Sequence, residues 1–221
     1  MKPMDCAKAC SLLLGRLTAD DLRALQVPLD DCSYPTGDTL YGCGDAAGSL
    51  YVITEGVVKL VQASSDGRQR IVRLLRAGDV AGIESLASEC YDSEAVCMTP
   101  VRLCRMPTAL LRHLAACSPE VQNGLMCKWH RALKGADAWL ADFNAGPATK
   151  RVRQFLLRMR HGTDPSLVTL FSREDMGAMM GLKLETVSRE LSALTRAGLI
   201  ERVDSVGRTY RIVDPAGLAT V

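Results

Sequence analysis

The stretch GLKLETVSREL, residues 181–191, places Glu185, Ser188 and Arg189 within five positions of one another. Wound into a helix, it sets Val187, Leu191 and Leu194 on one face. Ser188, Ser192, Glu185 and Arg189 fall on the other face, toward the helix N-terminus. An arginine fork can bond O6 and N7 of one guanine, a glutamate can accept from a cytosine amino group, and a serine can serve either strand. A helix that enters a DNA major groove N-terminal end first needs this layout. The same layout also fits a surface helix with a solvated Glu185–Arg189 pair at i, i+4.

The cysteines are the other reactive set. There are nine, and Cys6 and Cys10 stand four apart in MKPMDCAKAC. Thiols stay reduced in the cytosol, so a disulfide framework is not expected. Most of the nine are expected to act as small buried apolar residues. C-x3-C is not the C-x-x-C spacing of thiol oxidoreductases, and no nucleophile–base–acid set is apparent. An enzyme, such as a thiol redox enzyme, is therefore the reading from another class that the residues support least.

These groups must be positioned by the rest of the 221 residues, enough for one large or two small domains. No apolar run approaches the ~20 residues of a membrane-spanning helix. The N-terminus lacks a signal-peptide layout, so a cytoplasmic protein is expected. Residues 1–145 carry 15 Lys+Arg against 17 Asp+Glu, and residues 146–221 carry 12 against 8. A basic C-terminal part hints at a polyanion partner.

Residues 18–27 read as a short helix capped by Thr18. From about 29 to 106, short apolar runs (SLYVI, VVKLVQA, IVRLL, VRLCRM) alternate with glycine-bearing turns, the pattern of about eight antiparallel strands in a roll or barrel. Residues 119–144 read as a long helix opened by Pro119 and closed by Gly146-Pro147. Leu125, Trp129, Ala132, Ala136, Trp139 and Phe143 are spaced 4, 3, 4, 3, 4 along it, an a/d seam. Met126, Leu133 and Leu140 form a second stripe one position round. One stripe can pack on the roll while the other meets a second chain; the a/d seam is taken as the dimer interface. Residues 148–161 form another helix. FSREDMGAMMGLKLETVSRELSALTRAGLIERV then reads as helix, tight turn, helix and strand, with Ser172 as N-cap and Gly181 ending the first helix. A hairpin, IERV–DSVGR–TYRIV, follows. Lys150, Arg151, Arg173 and Arg208, at helix ends and in the hairpin, are candidate phosphate contacts.

Across nearly its whole length the chain resembles the CRP/FNR family, bacterial regulators related to the cyclic-AMP receptor protein and the fumarate–nitrate reduction regulator. GLKLETVSREL is similar to the family's recognition helix with its E-x-x-S-R core, and SLYVITEGVVKL and RAGDVAG resemble its β-roll turns. The resemblance implies an α+β fold: a cyclic-nucleotide-binding-like β-roll with an N-terminal arm (1–118), a dimerisation helix (119–145) and a winged helix-turn-helix (146–221). It implies a homodimer on a two-fold symmetric double-stranded DNA operator, in contact with RNA polymerase. Leu184 and Ser188 stand where the cyclic-AMP branch carries Arg and Gly, so the helix looks like the fumarate–nitrate branch. By that resemblance Glu185, Ser188 and Arg189 read bases, in half-sites resembling TTGAT.

The resemblance also frames the signal. The family's cyclic-nucleotide pocket resembles Gly-Glu-(Leu/Ala) followed by Arg-(Ser/Thr)-Ala. Here the segment is AGIESLASECYDSEAVCM, with Glu84 one place late and no basic residue between Arg76 and Arg102. A cyclic phosphate would face Asp92 and Glu94, so cyclic nucleotide is not expected. Oxygen-sensing relatives hold an iron–sulfur cluster with an N-terminal cysteine arm and one β-roll cysteine. Cys104 falls at that last position and Cys6 and Cys10 at the first, but the arm is one cysteine short. Haem, through His113, His130 or His161, is a lesser alternative. A redox, oxygen or nitric-oxide type signal is the expectation.

Overall fold

The computed structural model describes residues 30–63, 67, 69–143, 146–160 and 164–220. The helix expected over 18–27, the arm with Cys6 and Cys10, and His161 lie outside them. Eight strands run between Asp30 and Pro107: β1 (Asp30–Tyr34), β2 (Thr39–Tyr41), β3 (Ser49–Glu55), β4 (Val57–Ala63), β5 (Gln69–Arg76), β6 (Val80–Ala81), β7 (Glu94–Cys97) and β8 (Val101–Pro107). They form two antiparallel four-stranded sheets, ordered β1-β8-β3-β6 and β2-β7-β4-β5.

Strand alternation divides the apolar side chains between two cores. Leu103 of β8 joins Ile53, Val58, Leu60, Leu75 and Ala95 in one. Cys104 and Met106 join Leu50 and Val52 in the other, which α1 (Thr108–Cys117) covers with Leu111 and Leu114. Tyr41 stacks on Tyr91 with ring centroids 3.8 Å apart, and the Tyr91 hydroxyl donates to the Ser49 carbonyl at 2.7 Å. That pair ties strand β3 to the connection before β7.

Helix α2 (Pro119–Phe143) follows α1. Its contacts divide between two units of the chain, one ending at Gly135 and the other beginning at Ala136. The dimer seam read from the sequence needs correcting here. Leu125 is buried in the roll core beside Val121, and Ala132 packs against the same cluster. Trp139 and Phe143 are buried too, their rings edge-on at 4.7 Å, with Phe143 6.0 Å from Phe155. Arg158 lies over the Trp139 ring and pairs with Asp142. Leu125, Trp139 and Phe143 are therefore core residues of their own chain. The stripe left in solvent is Met126 (63 % exposed), Trp129 (37 %), Leu133 (58 %) and Leu140 (54 %). With the half-buried Ala136 between Leu133 and Leu140 it keeps heptad spacing, so that Trp129 and Ala136 of the expected seam stay on the outer face and the second stripe, Met126, Leu133 and Leu140, completes it.

The second unit contains α3 (Ala148–Arg158), β9 (Leu167–Thr169), α4 (Arg173–Met180), α5 (Leu184–Arg196), β10 (Ile200–Arg202), β11 (Thr209–Ile212) and α6 (Pro215–Ala219). The strands form one antiparallel sheet, β10-β11-β9. The α+β architecture is thus a β-roll, a long helix and a winged helix-turn-helix.

Candidate nucleic-acid interface

The turn between α4 and α5 is set by local chemistry. Ser172 caps α4: its hydroxyl accepts from the Asp175 amide at 3.0 Å and donates to the Asp175 carboxylate at 2.7 Å. Such a cap stabilises a helix by about 1 kcal/mol. Met176, Met179 and Met180 are buried beneath it. Gly181 closes α4 in the left-handed region at φ 63°, where glycine avoids the Cβ clash.

Gly177 matters as much, and the sequence reading passed over it. A Cβ there would stand 2.6 Å from the Leu182 carbonyl oxygen, backbone that the tight turn cannot move. That carbonyl is drawn close because the Leu182 amide donates back to Gly177 at 3.0 Å. A glycine four residues before a turn glycine is the signal that could have found it. Gly177→Ala is expected to destabilise the C-terminal unit by about 1–3 kcal/mol. Thermal unfolding followed by circular dichroism would show it as a lowered midpoint; an unchanged midpoint would mean that the turn relaxes freely.

Helix α5 presents its faces as the sequence suggested. Val187, Leu191 and Leu194 are buried against the unit. Glu185, Arg189 and Ser192 are exposed and Ser188 half-exposed. The ion pairs found among the described residues join Arg102 to Asp31 and Glu55 and Arg158 to Asp142; Glu185 and Arg189 form none. Glu190 points elsewhere, accepting from Thr149 of α3 at 2.7 Å, which anchors the N-terminal half of α5.

The four expected phosphate contacts separate. Arg173 donates to the Gly207 carbonyl at 2.8 Å and the Tyr210 hydroxyl at 3.0 Å, with its guanidinium over the Tyr210 ring. Arg151 donates to the Met180 carbonyl at 2.7 Å. Both guanidiniums thus brace the motif from within, Arg173 to the wing and Arg151 to the end of α4. Arg208 is exposed in the wing and Lys150 half-exposed on α3, so these two remain free to face a phosphate. The wing turn is shaped by Asp204, which accepts from the amides of Gly207, Arg208 and Thr209 at 2.5, 2.9 and 2.8 Å. Desolvation raises the pKa of that carboxyl, but hydrogen bonds to Thr209, Arg208 and Gly207 outweigh it and hold the group below the usual carboxylate range.

Comparison with known proteins bears on both units. Residues 31–116 match the cyclic nucleotide-binding domain, and residues 150–221 match the Crp-like helix-turn-helix domain. The chain belongs to the Crp/Fnr family of transcription regulators. It is 27 % identical over 206 residues to the transcriptional activator protein FnrL of Cereibacter sphaeroides, covering 89 % of this chain and 82 % of FnrL. It is 24 % identical over 224 residues to the transcriptional activator protein Anr of Pseudomonas aeruginosa, covering 98 % and 91 %. FixK2 of Bradyrhizobium japonicum superposes with a TM-score of 0.78 at 27 % identity, over 87 % of this chain and 96 % of FixK2. A CRP-family regulator of Thermus thermophilus gives a TM-score of 0.72 at 26 % identity, over 85 % and 94 %.

Within this Crp/Fnr chain the sensor side departs from several expectations. Cysteines are not mostly buried: among the described residues Cys43, Cys90, Cys117 and Cys127 are exposed, Cys32 is intermediate, and Cys97 and Cys104 are buried. Burial pushes the Cys97 thiol up to about 11, with the Asp38 charge adding to it. Cys104 is fully buried among Val52, Met106 and Leu111. Cys32 stands opposite Leu103, so it points to the other face of the sheet. Among the described residues no three His, Cys, Asp or Glu side chains gather to hold a metal ion. Cys104 is thus a core residue of the roll, and Cys6 and Cys10, the other two candidate cluster ligands, lie outside the described residues. His113 and His130 are exposed on α1 and α2, on the solvent side of their helices.

The turn that corresponds to the cyclic-nucleotide signature, Ile83–Leu86, holds Glu84 partly buried, with its Oε1 lacking a hydrogen-bond partner among the described residues. Desolvation raises its pKa, and Asp92 adds to the rise while Arg73 opposes it. Asp92 is exposed, and Glu94 accepts from Thr39. Two cations from outside the 76–102 window meet this region: Arg73 of β5, which opposes the rise at Glu84, and Arg112 of α1, which donates to the Ser85 carbonyl at 2.7 Å. No helix among the described residues is long and apolar enough to cross a membrane.

Proposed function

We propose that this chain is a homodimeric, sequence-specific DNA-binding transcription regulator of the fumarate–nitrate type. The observation that carries this is helix α5, with Glu185 and Arg189 exposed and Ser188 half-exposed opposite a buried Val187–Leu191–Leu194 face. Arg189 bonds a guanine, Glu185 accepts from a cytosine amino group and Ser188 adds a third contact. Arg208 and Lys150 face phosphates and set register. Two chains pair through Met126, Trp129, Ala136, Leu133 and Leu140 of α2. The dimer then offers two α5 helices to successive major grooves about 34 Å apart. It acts in the cytoplasm as a non-enzymatic protein in contact with RNA polymerase.

The signal is of redox, oxygen or nitric-oxide type. Relatives bearing the names FnrL, Anr and fumarate and nitrate reduction regulatory protein support this, as does the departure of AGIESLASECYDSEAVCM from the family's cyclic-nucleotide signature. An iron–sulfur cluster would draw on Cys6, Cys10 and Cys104 and would need a fourth ligand. The signal acts by shifting the population of α2 pairings, which reorients the two readers.

Selection of operators from a random duplex pool tests the reading. The expected product is an inverted repeat with half-sites similar to TTGAT, one helical turn apart. Selection of a single, unrepeated site would remove the dimer, and no enrichment would remove base reading. An absorption spectrum after anaerobic purification tests the cofactor: visible bands that bleach in air are expected of a cluster.

A further inference from the structure

Helix α1 ends in a thiol paired with an imidazole. Cys117 is its last residue and His113 lies one turn earlier, with Sγ and Nε2 3.9 Å apart. Both side chains are exposed. From this the geometry points to Cys117 as a reactive thiol, with His113 as its proton acceptor, open to oxidation by a hydroperoxide. The inference stands apart from the DNA-binding reading and does not use the α5 face.

The other exposed cysteines serve as a contrast. The Cys43 thiol donates to the Asp92 carbonyl at 3.5 Å, an acceptor that cannot take a proton away. Cys90 and Cys127 are exposed with no histidine hydrogen-bonded to them among the described residues. A thiol becomes nucleophilic as its thiolate, and an adjacent base supplies it. An imidazole is the side chain whose proton moves readily near neutral pH. The carbonyl end of a helix favours the positive ring but works against a thiolate on its last residue, so the activation rests on the contact between the two side chains.

The step balances without a metal. The Cys117 proton passes to His113 Nε2. The sulfur attacks the hydroxyl oxygen of the peroxide, an S–O bond forms and the O–O bond breaks. The leaving oxygen takes the proton back from the imidazolium and departs as water or an alcohol. Sulfur is oxidised to the sulfenic acid, and the peroxide is reduced by two electrons. The site lies where α1 hands over to α2. Leu111 and Leu114 of α1 and Val121 and Leu125 of α2 share one core, so an adduct at Cys117 forms beside the joint between them.

The test uses the reduced full-length chain and reads each cysteine separately. A short pulse of iodoacetamide, quenched and mapped by peptide mass spectrometry, is expected to label Cys117 several-fold faster than Cys43, Cys90 and Cys127. His113→Gln is expected to bring Cys117 down to their rate and leave theirs unchanged. Buried Cys97 and Cys104 report folding in the same sample by staying unlabelled. Hydrogen peroxide followed by dimedone should place the sulfenic-acid adduct at Cys117 in the parent chain and lose it in His113→Gln. Equal labelling of the four exposed cysteines, a Cys117 rate unmoved by His113→Gln in a folded sample, or a dimedone adduct no greater at Cys117 than elsewhere would each overturn the inference.

Discussion

Arg189→Ala is expected to weaken binding to the selected operator by about 1–3 kcal/mol, roughly 5- to 150-fold. The size follows from the geometry of the guanidinium. Arg189 is exposed and makes no ion pair among the described residues, so it contributes little to the fold. Surface changes of that kind move stability by no more than about 0.5 kcal/mol. The loss should therefore appear in binding and not in unfolding. It should also be selective: a bidentate fork on one guanine carries sequence information, whereas charge alone does not. Fluorescence anisotropy on the operator and on an operator with the contacted guanine changed would separate the two. The variant should no longer distinguish these duplexes. Arg189→Lys keeps the charge but not the fork, and should recover random-sequence binding without recovering discrimination. Equal loss on operator and random DNA would show that Arg189 acts as a phosphate contact.

Leu133→Glu is expected to turn a dimer into a monomer. Leu133 is among the most exposed large apolar side chains of α2 and occupies the middle of the Met126–Trp129–Leu133–Leu140 stripe. A charge there costs the single chain nothing and puts two like charges together in a paired seam. Sedimentation equilibrium should give the monomer mass, with operator binding falling to that of a single half-site. Trp139→Ala is the contrasting variant. Trp139 is buried beside Phe143 and Arg158, so its truncation should cost folding stability, about 3–5 kcal/mol for a large aromatic. A Leu133→Glu chain that stays dimeric would mean that the partner does not lie on this stripe.

Much of the molecule was legible before any coordinates. Eight strands with glycine turns, the Ser172 cap, the Gly181 stop and the split faces of α5 all follow from periods of two and 3.6 and from turn chemistry, and these act between residues near in sequence. Arg151 and Arg173 show where that reading ends. Each looked like a solvent-facing cation, yet each guanidinium is held by a carbonyl 29 or 34 residues away, Met180 for Arg151 and Gly207 for Arg173. Nothing in a local window announces such an acceptor. The same holds for Gly177, whose need to be small comes from a carbonyl on the far side of the turn.

Helix α2 draws the boundary most clearly. The residues themselves determined that it has two apolar stripes in heptad spacing, because spacing along a helix is a property of the chain alone. Which stripe turns inward was decided by the partners that tertiary folding brings to it: the roll core around Leu125 and Phe155 beside Phe143. The cysteines divide in the same way. Their number and types belong to the sequence, while the burial of Cys104 in an apolar core and the seating of Cys117 on His113 belong to the packing. Burial depends on everything that packs around a residue, and only the folded chain brings those neighbours together.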